Sequence, residues 1–310
     1  MKIGVIGAGI AGGYLGSALG PLGHDVVVLE KSRGFGGRLA TRRGEGVQFD
    51  HGAPFFTART SLFKELLAEQ ASSVVEWTPR VTTLSPGGKS YKRDWFEPHY
   101  IGAPAMGALA QSLLATSEVQ FEREVDTVVS EAERCLVNFK DGVVEPYDFV
   151  ISTAPAPQTA AIMNIELEDV SYSPCFALLA IPSKSLNFDA AVVKDSPIEW
   201  VEYTASKPSR VSTSTLVAHA SAEWTVKHFD APRDDVKQSL ISALSALGIE
   251  VDGNPSLHRW RYAHVVQPYR SPYWLSSQSR LAACGDWAVG CGVESAVISA
   301  SKLVAAIANR

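Results

Sequence analysis

Lys2-Ile3-Gly4-Val5-Ile6-Gly7-Ala8-Gly9-Ile10-Ala11-Gly12 reads as a short buried strand running directly into a glycine-rich turn. A helical pattern follows to about Leu22, and Asp25-Val26-Val27-Val28-Leu29-Glu30 reads as a second strand that ends in a carboxylate. This order predicts a βαβ nucleotide-binding unit. Gly7 permits the tight turn, Gly9 lets the backbone approach a pyrophosphate, and Gly12 lets helix and strand pack closely. The unpaired amides at the helix start, around Ile10 and Ala11, would face the phosphates. Glu30 lies 18 residues past Gly12, where a carboxylate accepts the ribose hydroxyls of an adenosine. It would repel a 2′-phosphate, so FAD or NAD fits better than NADP.

The next stretch favours FAD. Lys31-Ser32-Arg33-Gly34-Phe35-Gly36-Gly37-Arg38 places paired glycines and an arginine after the acidic residue. The pattern Glu-x5-Gly-Gly-Arg resembles the second phosphate-contacting loop of the flavoprotein superfamily that includes monoamine oxidases. Gly36 and Gly37 would allow close approach, and Arg38 supplies a planar donor fork for phosphate or flavin oxygens.

Composition sets the bounds around this motif. A chain of 310 residues exceeds the usual single core, so two lobes are expected. Apolar content of 46% with 20% charged residues describes an ordinary soluble globular protein, and a net charge of −5 gives no electrostatic case for nucleic acid or an anionic membrane. The apolar N-terminus holds six glycines by Gly16 and reads as a core strand, neither signal peptide nor membrane span. Cys135, Cys175, Cys284 and Cys291 form no C-x-x-C pair; they read as buried free thiols of a cytoplasmic protein with no neighbouring base to activate them. The seven histidines show no metal-ligand spacing, so no metal is expected.

Further along, Val47-Gln48-Phe49-Asp50-His51-Gly52-Ala53-Pro54-Phe55-Phe56 looks like a strand entering a loop, with Gly52 allowing close approach to a flavin edge. Leu62–Ala71 and Gly102–Ala115 read as helices, and Val74–Trp77, Val81–Leu84 and Tyr91–Phe96 as strands. Leu136–Lys140 and Val143–Tyr147 flank an Asp-Gly turn and form a hairpin signal. Phe149–Ser152 is a buried strand leading into Thr153 and a proline-punctuated loop. From Ser171 to Pro272 strand-like pieces alternate with a helix near Asp234–Leu247, a mixed α+β lobe. Leu281–Ala283 reads as a strand leading to Gly285-Asp286, and Val293–Ile307 as a helix whose positive N-terminus would face the flavin.

Together these motifs resemble the renalase family over nearly the whole chain. The more specific parts are Lys31-Ser32-Arg33-Gly34, Phe56-Thr57-Ala58-Arg59 and Trp260-Arg261-Tyr262-Ala263. The resemblance implies noncovalent FAD on a p-hydroxybenzoate-hydroxylase-like α/β fold. It implies oxidation of 2- or 6-dihydro-NAD(P) to NAD(P)+, with O2 reoxidising the flavin to give hydrogen peroxide. It also implies Val125 against the adenine, Asp286 at the ribityl or phosphate region, and Gly52, Ala53 and Pro54 at the isoalloxazine edge. Pro54 is a departure, since family members often carry glutamine there, and proline lacks an N–H. Other readings are an amine oxidase or desaturase-like enzyme, and a nucleotide-binding protein without turnover.

The expected FAD domain spans about 1–74, 100–160 and 276–310, with 75–99 and 161–275 forming the substrate lobe. Gly7, Gly9, Ile10, Ala11, Gly12, Glu30, Lys31, Gly36, Gly37, Arg38, Gly52, Ala53, Pro54, Val125, Thr153, Gly285, Asp286 and Val293 are the expected cofactor contacts. Substrate contacts are expected from Phe55, Phe56, Trp260, Tyr262 and His264. Strand alternation puts Trp260, Tyr262 and His264 on one side and Arg259, Arg261 and Ala263 on the other.

Overall fold

The computed structural model describes residues 1–44, 46–94, 97–211 and 213–309. The first strand, Lys2–Ile6, is apolar on both faces and lies inside a six-stranded sheet. It pairs in parallel with Asp25–Leu29 on one side and Phe149–Ser152 on the other. Glu118–Gln120 extends the sheet beyond Asp25–Leu29, and Leu281–Ala283 extends it beyond Phe149–Ser152. Trp274–Ser276 closes that edge, antiparallel to Leu281–Ala283. The N-terminal and C-terminal segments therefore share one sheet.

Helices Ile10–Leu19 and Val293–Ala308 cover this sheet, and their small residues let them lie close together. The resulting core includes Ile3, Val5, Leu15, Leu109, Val297 and Leu303, all fully buried. At about 25 cal/mol per Å² of apolar surface removed from water, each such aliphatic side chain stabilises by roughly 1.5–3 kcal/mol.

The second lobe is built on a seven-stranded sheet. Its order runs Val251–Gln267, Ser171–Pro182, Leu216–Ala220, Ile198–Tyr203, Ala190–Val193, Val81–Leu84 and Tyr91–Lys92. Helices Ala222–Lys227 and Arg233–Ala246 pack on one face, the second bringing Leu240 and Leu244 into the core with Phe176 and Leu178 of the sheet. The other face presents Ala177, Leu179 and Val217 to Phe49 of the strand Val47–Asp50 and to Trp260.

Several elements differ from the sequence expectation. The helix expected over Gly102–Ala115 is only Ala108–Leu113, because strand His99–Gly102 pairs with Val74–Trp77 and the chain then turns. Val74 and Trp77 join the core cluster of Ile3 and Val5, which also takes in Val81 and Ala190 of the seven-stranded sheet. The strand expected over Tyr91–Phe96 is Tyr91–Lys92, and Trp95 and Phe96 lie outside the described residues. The chain returns towards the first lobe through Val251–Gln267, a single return strand of 17 residues. Among the described residues no helix is long and apolar enough to cross a membrane.

Candidate active site

The glycine turn forms first. Gly7 adopts φ +106°, a left-handed conformation that an L side chain rarely takes, and its carbonyl crowds Gly12. Thr153 braces the turn, its hydroxyl donating to the Ile6 carbonyl at 2.8 Å. Gly36 docks alongside, its amide donating to the Ala8 carbonyl at 2.9 Å. Glu30 is buried, and its two oxygens accept from the amides of Ala8 and Ser32, each at 2.8 Å. Both phosphate loops are thus tied to one carboxylate. A Cβ on Gly9 would meet only the Gly36 carbonyl within contact range, at 3.9 Å, which leaves its backbone open to a ligand. Ile10 and Ala11 are buried at the helix start, Val125 is buried where the strand Val125–Ser130 begins, and Lys31 is exposed.

Arg38 leaves this loop and forms a two-pronged ion pair with Asp286, one hydrogen bond at 2.7 Å and a shorter second. Burial works against the Arg38 charge, but the charge and hydrogen bonds of Asp286 outweigh it and raise its pKa above the usual arginine value. The fork expected to hold a phosphate therefore joins the Gly-Gly-Arg loop to Gly285-Asp286, 248 residues away. Arg38 also donates to the Ala263 carbonyl of the return strand at 3.3 Å. Asp286 receives the amide of Trp287 at 2.9 Å, which fixes the turn leading to Gly292 and Val293. In the first turn of that helix, Glu294 accepts from the Thr60 amide and hydroxyl, each at 2.6 Å, and from the Arg59 amide. Sequence reasoning missed Glu294, because its partner segment lies more than 230 residues away.

Gly52 lies under Arg38. Its φ is not left-handed, but a Cβ there would overlap the Arg38 carbonyl, while the neighbouring Ala53 amide donates to that same oxygen at 2.9 Å. The loop is anchored from below by a buried charge cluster. Asp50 accepts from Arg210 Nη2 at 2.8 Å, Lys207 Nζ at 3.1 Å and Thr41 Oγ1 at 2.6 Å. Lys207 Nζ also lies 2.7 Å from Glu202 Oε1 and donates to the Pro54 carbonyl at 2.9 Å. Burial opposes ionisation of Asp50, yet Lys207 and Arg210 hold its carboxyl down at about 2. Glu202, driven first by burial and further by Asp50, is pushed up to about 7 against the pull of Lys207. None of Lys207, Glu202 and Arg210 was singled out from sequence.

The return strand completes the site. Trp260 Nε1 donates to the His51 carbonyl at 2.8 Å, and the two rings lie 5.2 Å apart. His258 meets His51 edge-on and packs tilted against Trp260. His264 Nδ1 lies 3.8 Å from Cys291 Sγ, in the turn before the C-terminal helix. Arg259 and Arg261 turn the other way, onto Phe229 at 4.7 and 4.8 Å. Burial pushes His219 and His258 down to about 4 and lowers His264 as well, so this face carries neutral imidazoles at pH 7.

Three expectations are corrected here. Phe56 is a core residue, packed on Phe63 and Tyr100 and 5% exposed, rather than part of the Trp260 face; Phe55 beside it packs on His99 and Trp200. Tyr262 does not share the Trp260 face. The register shifts between Trp260 and His264, breaking strict alternation, and Tyr262 packs edge-on to Tyr172. Cys291 is exposed and has a neighbouring imidazole, unlike the three buried cysteines.

Residues 5–69 match the model of the NAD(P)-binding Rossmann-like domain, and residues 94–308 match that of the flavin containing amine oxidoreductases. The chain belongs to the flavin containing amine oxidoreductases. It is an oxidoreductase that uses a flavin. Solved structures share the fold at low identity. A fatty acid isomerase from P. acnes that produces CLA superposes with TM-score 0.77 at 12% identity, covering 98% of each chain. Putrescine oxidase bound to putrescine gives 0.75 at 13%, covering 100% of this chain and 99% of that one. An oxidoreductase from Methanosarcina mazei gives 0.74 at 14%, covering 98% and 99%. The open backbone at Gly9, the carboxylate-tied phosphate loops and the close Gly52–Arg38 approach all fit a flavin dinucleotide laid across this family's first lobe.

Proposed function

We propose that the protein is a renalase-like oxidase that holds FAD noncovalently and converts 2- or 6-dihydronicotinamide dinucleotides to NAD(P)+. The observation that carries this reading is the surface made by Trp260, His51, His258 and His264. It is aromatic and uncharged at neutral pH, with the Trp260 ring tilted 30° to His51 and His258 set edge-on to His51, and it borders the Gly52 loop and the Arg38–Asp286 pair. A nicotinamide-type ring needs an apolar stacking surface and a few polar groups, which this face supplies.

When bound, the flavin would supply the hydride acceptor and the route by which two electrons reach O2 to give hydrogen peroxide. Oxidising a dihydropyridine produces an aromatic pyridinium directly, so the chain need supply no general base. Its work is positioning. The Arg38–Asp286 pair fixes the loop that carries the cofactor contacts, and the Lys207 cluster fixes Pro54 and the residues around it. Trp260 and His264 orient the ring and exclude water. Oriented contact of this kind contributes up to roughly 7–11 kcal/mol of barrier lowering.

Membership of the amine oxidoreductase family favours amine oxidation as a second reading. Anaerobic flavin bleaching by dihydronicotinamides and by amines, side by side, separates the two. Bleaching by dihydronicotinamide dinucleotides supports the first, and bleaching by amines alone overturns it.

A further inference from the structure

At the free edge of the strand Val251–Gln267 an open cleft of about 270 Å³ gathers three cations and two neutral polar side chains from three elements. Arg42 comes from the hairpin strand Thr41–Gly44, Arg233 and Lys237 from the first turns of the helix Arg233–Ala246, and Asn254 and Ser256 from the edge strand itself. Lys237 is held in place by Asp234 at 3.2 Å and by the Asn254 side-chain oxygen at 3.1 Å. Arg233 is fixed by donating to the Leu257 carbonyl at 2.6 Å. Among the described residues no carboxylate pairs with Arg42 or Arg233, and Asp234 is the only acid lining the cleft. Two positive charges are thus left over on a chain whose net charge is −5.

We propose that this cleft binds the phosphate-bearing arm of the dinucleotide whose dihydronicotinamide end lies against Trp260 and His264. The inference rests on the proposed oxidation of dihydronicotinamide dinucleotides and adds a binding site to it. A continuous line of side chains joins the two places. Ser256, His258 and Trp260 pair with Leu179, Ala177 and Cys175 and share one face of the sheet. His258 lies 4.3 Å from Trp260 and 4.7 Å from His51, ring to ring. Trp260 lies four residue steps along the strand from Ser256, about 13 Å at the usual rise. A nucleotide arm spans that distance, whereas a dihydronicotinamide ring alone does not. The planar guanidinium of Arg42 and the point charge of Lys237 suit an anionic phosphate, and the Asn254 amide adds a neutral donor.

The test uses the FAD-saturated protein, so that the adenosine cradle of the first lobe is filled. ADP is titrated by calorimetry into the wild type, Arg42→Glu and Lys237→Gln, with folding checked by the bound-flavin spectrum. The two variants act on separate elements, so misfolding of one leaves the other as the probe. ADP should bind the wild type, bind more weakly as salt rises, and lose about tenfold or more in affinity in each folded variant. In anaerobic flavin reduction, the concentration of 6-dihydro-NAD giving half-saturation should rise in step, while reduction by dihydronicotinamide riboside, which has no phosphate, stays unchanged. Absence of ADP binding, equal binding by wild type and variants, or a parallel change with the riboside overturns the cleft. If ADP behaves as expected but neither dihydronicotinamide reduces the flavin, the cleft stands as a nucleotide phosphate site and the proposed reaction falls.

Discussion

Replacing Lys207 with methionine removes a cation that holds three oxygens at once: Asp50 Oδ2 at 3.1 Å, Glu202 Oε1 at 2.7 Å and the Pro54 carbonyl at 2.9 Å. All three charged side chains are fully buried. Asp50 keeps Arg210 and Thr41, so its loss is partial. Glu202 loses its nearest cation, and the Pro54 carbonyl loses its lysine donor. Breaking a buried pair by removing one partner costs about 3–5 kcal/mol, and about 4 kcal/mol is expected here. A chain of this size loses roughly 2 °C of Tm per kcal/mol, so the melt should fall by about 8 °C. The deficit should also depend on pH. The Glu202 carboxyl is raised to about 7 in the folded protein. Folding therefore takes up a proton between about pH 4.5 and 7, and stability falls as pH rises through that window. Without Lys207 the carboxyl rises further, so the deficit should be smaller near about pH 5.5 than near about pH 8. Adding Glu202→Gln should recover about half of the loss and flatten the slope. Thermal melts at both pH values check this. A Lys207→Met loss under about 1 kcal/mol, or one independent of pH, would refute the cluster as the anchor of the flavin-facing loop.

Gly52→Ala should cost about 1–3 kcal/mol through overlap with the Arg38 carbonyl, and it should lower bound flavin measured at 450 nm after desalting. Arg38→Lys keeps the charge but loses the two-pronged geometry, and should weaken FAD retention about tenfold or more. His264→Ala should leave flavin content intact while slowing its anaerobic reduction by dihydronicotinamides; equal rates would remove His264 from the site. His219 and His258, lowered to about 4, should make stability fall as pH drops from about 6.5 towards 4, since the unfolded chain binds protons there that the folded one does not. Denaturant midpoints across that range check the sign.

Much of the first lobe was legible because its signals are local. The run from Lys2 to Glu30 encodes strand, turn, helix and strand in consecutive residues, and Gly285-Asp286 before an apolar helix is equally compact. What escaped depends on distant pairing. Lys207 and Arg210 meet Asp50 across about 160 residues, and nothing near either end of that contact marks it. The early part of the long edge strand was hidden by Gly253 and Pro255, which break a strand pattern but are tolerated where one edge is unpaired. Strict alternation put Trp260, Tyr262 and His264 on one side; the structure sets Trp260 against the His51 carbonyl and His264 beside Cys291. The shift in register between them moved Tyr262 off that face. Phe55 and Phe56 were alike in sequence, and only the bridge between Phe56 and Tyr100 decides which one is core.

The central claim is tested most directly by anaerobic titration of the purified, FAD-saturated protein with 6-dihydro-NAD, following flavin absorbance. The account predicts stoichiometric bleaching with release of NAD+, recovery of colour and hydrogen peroxide on admitting air, and no bleaching by putrescine or benzylamine. Bleaching by an amine with none by 6-dihydro-NAD would contradict it.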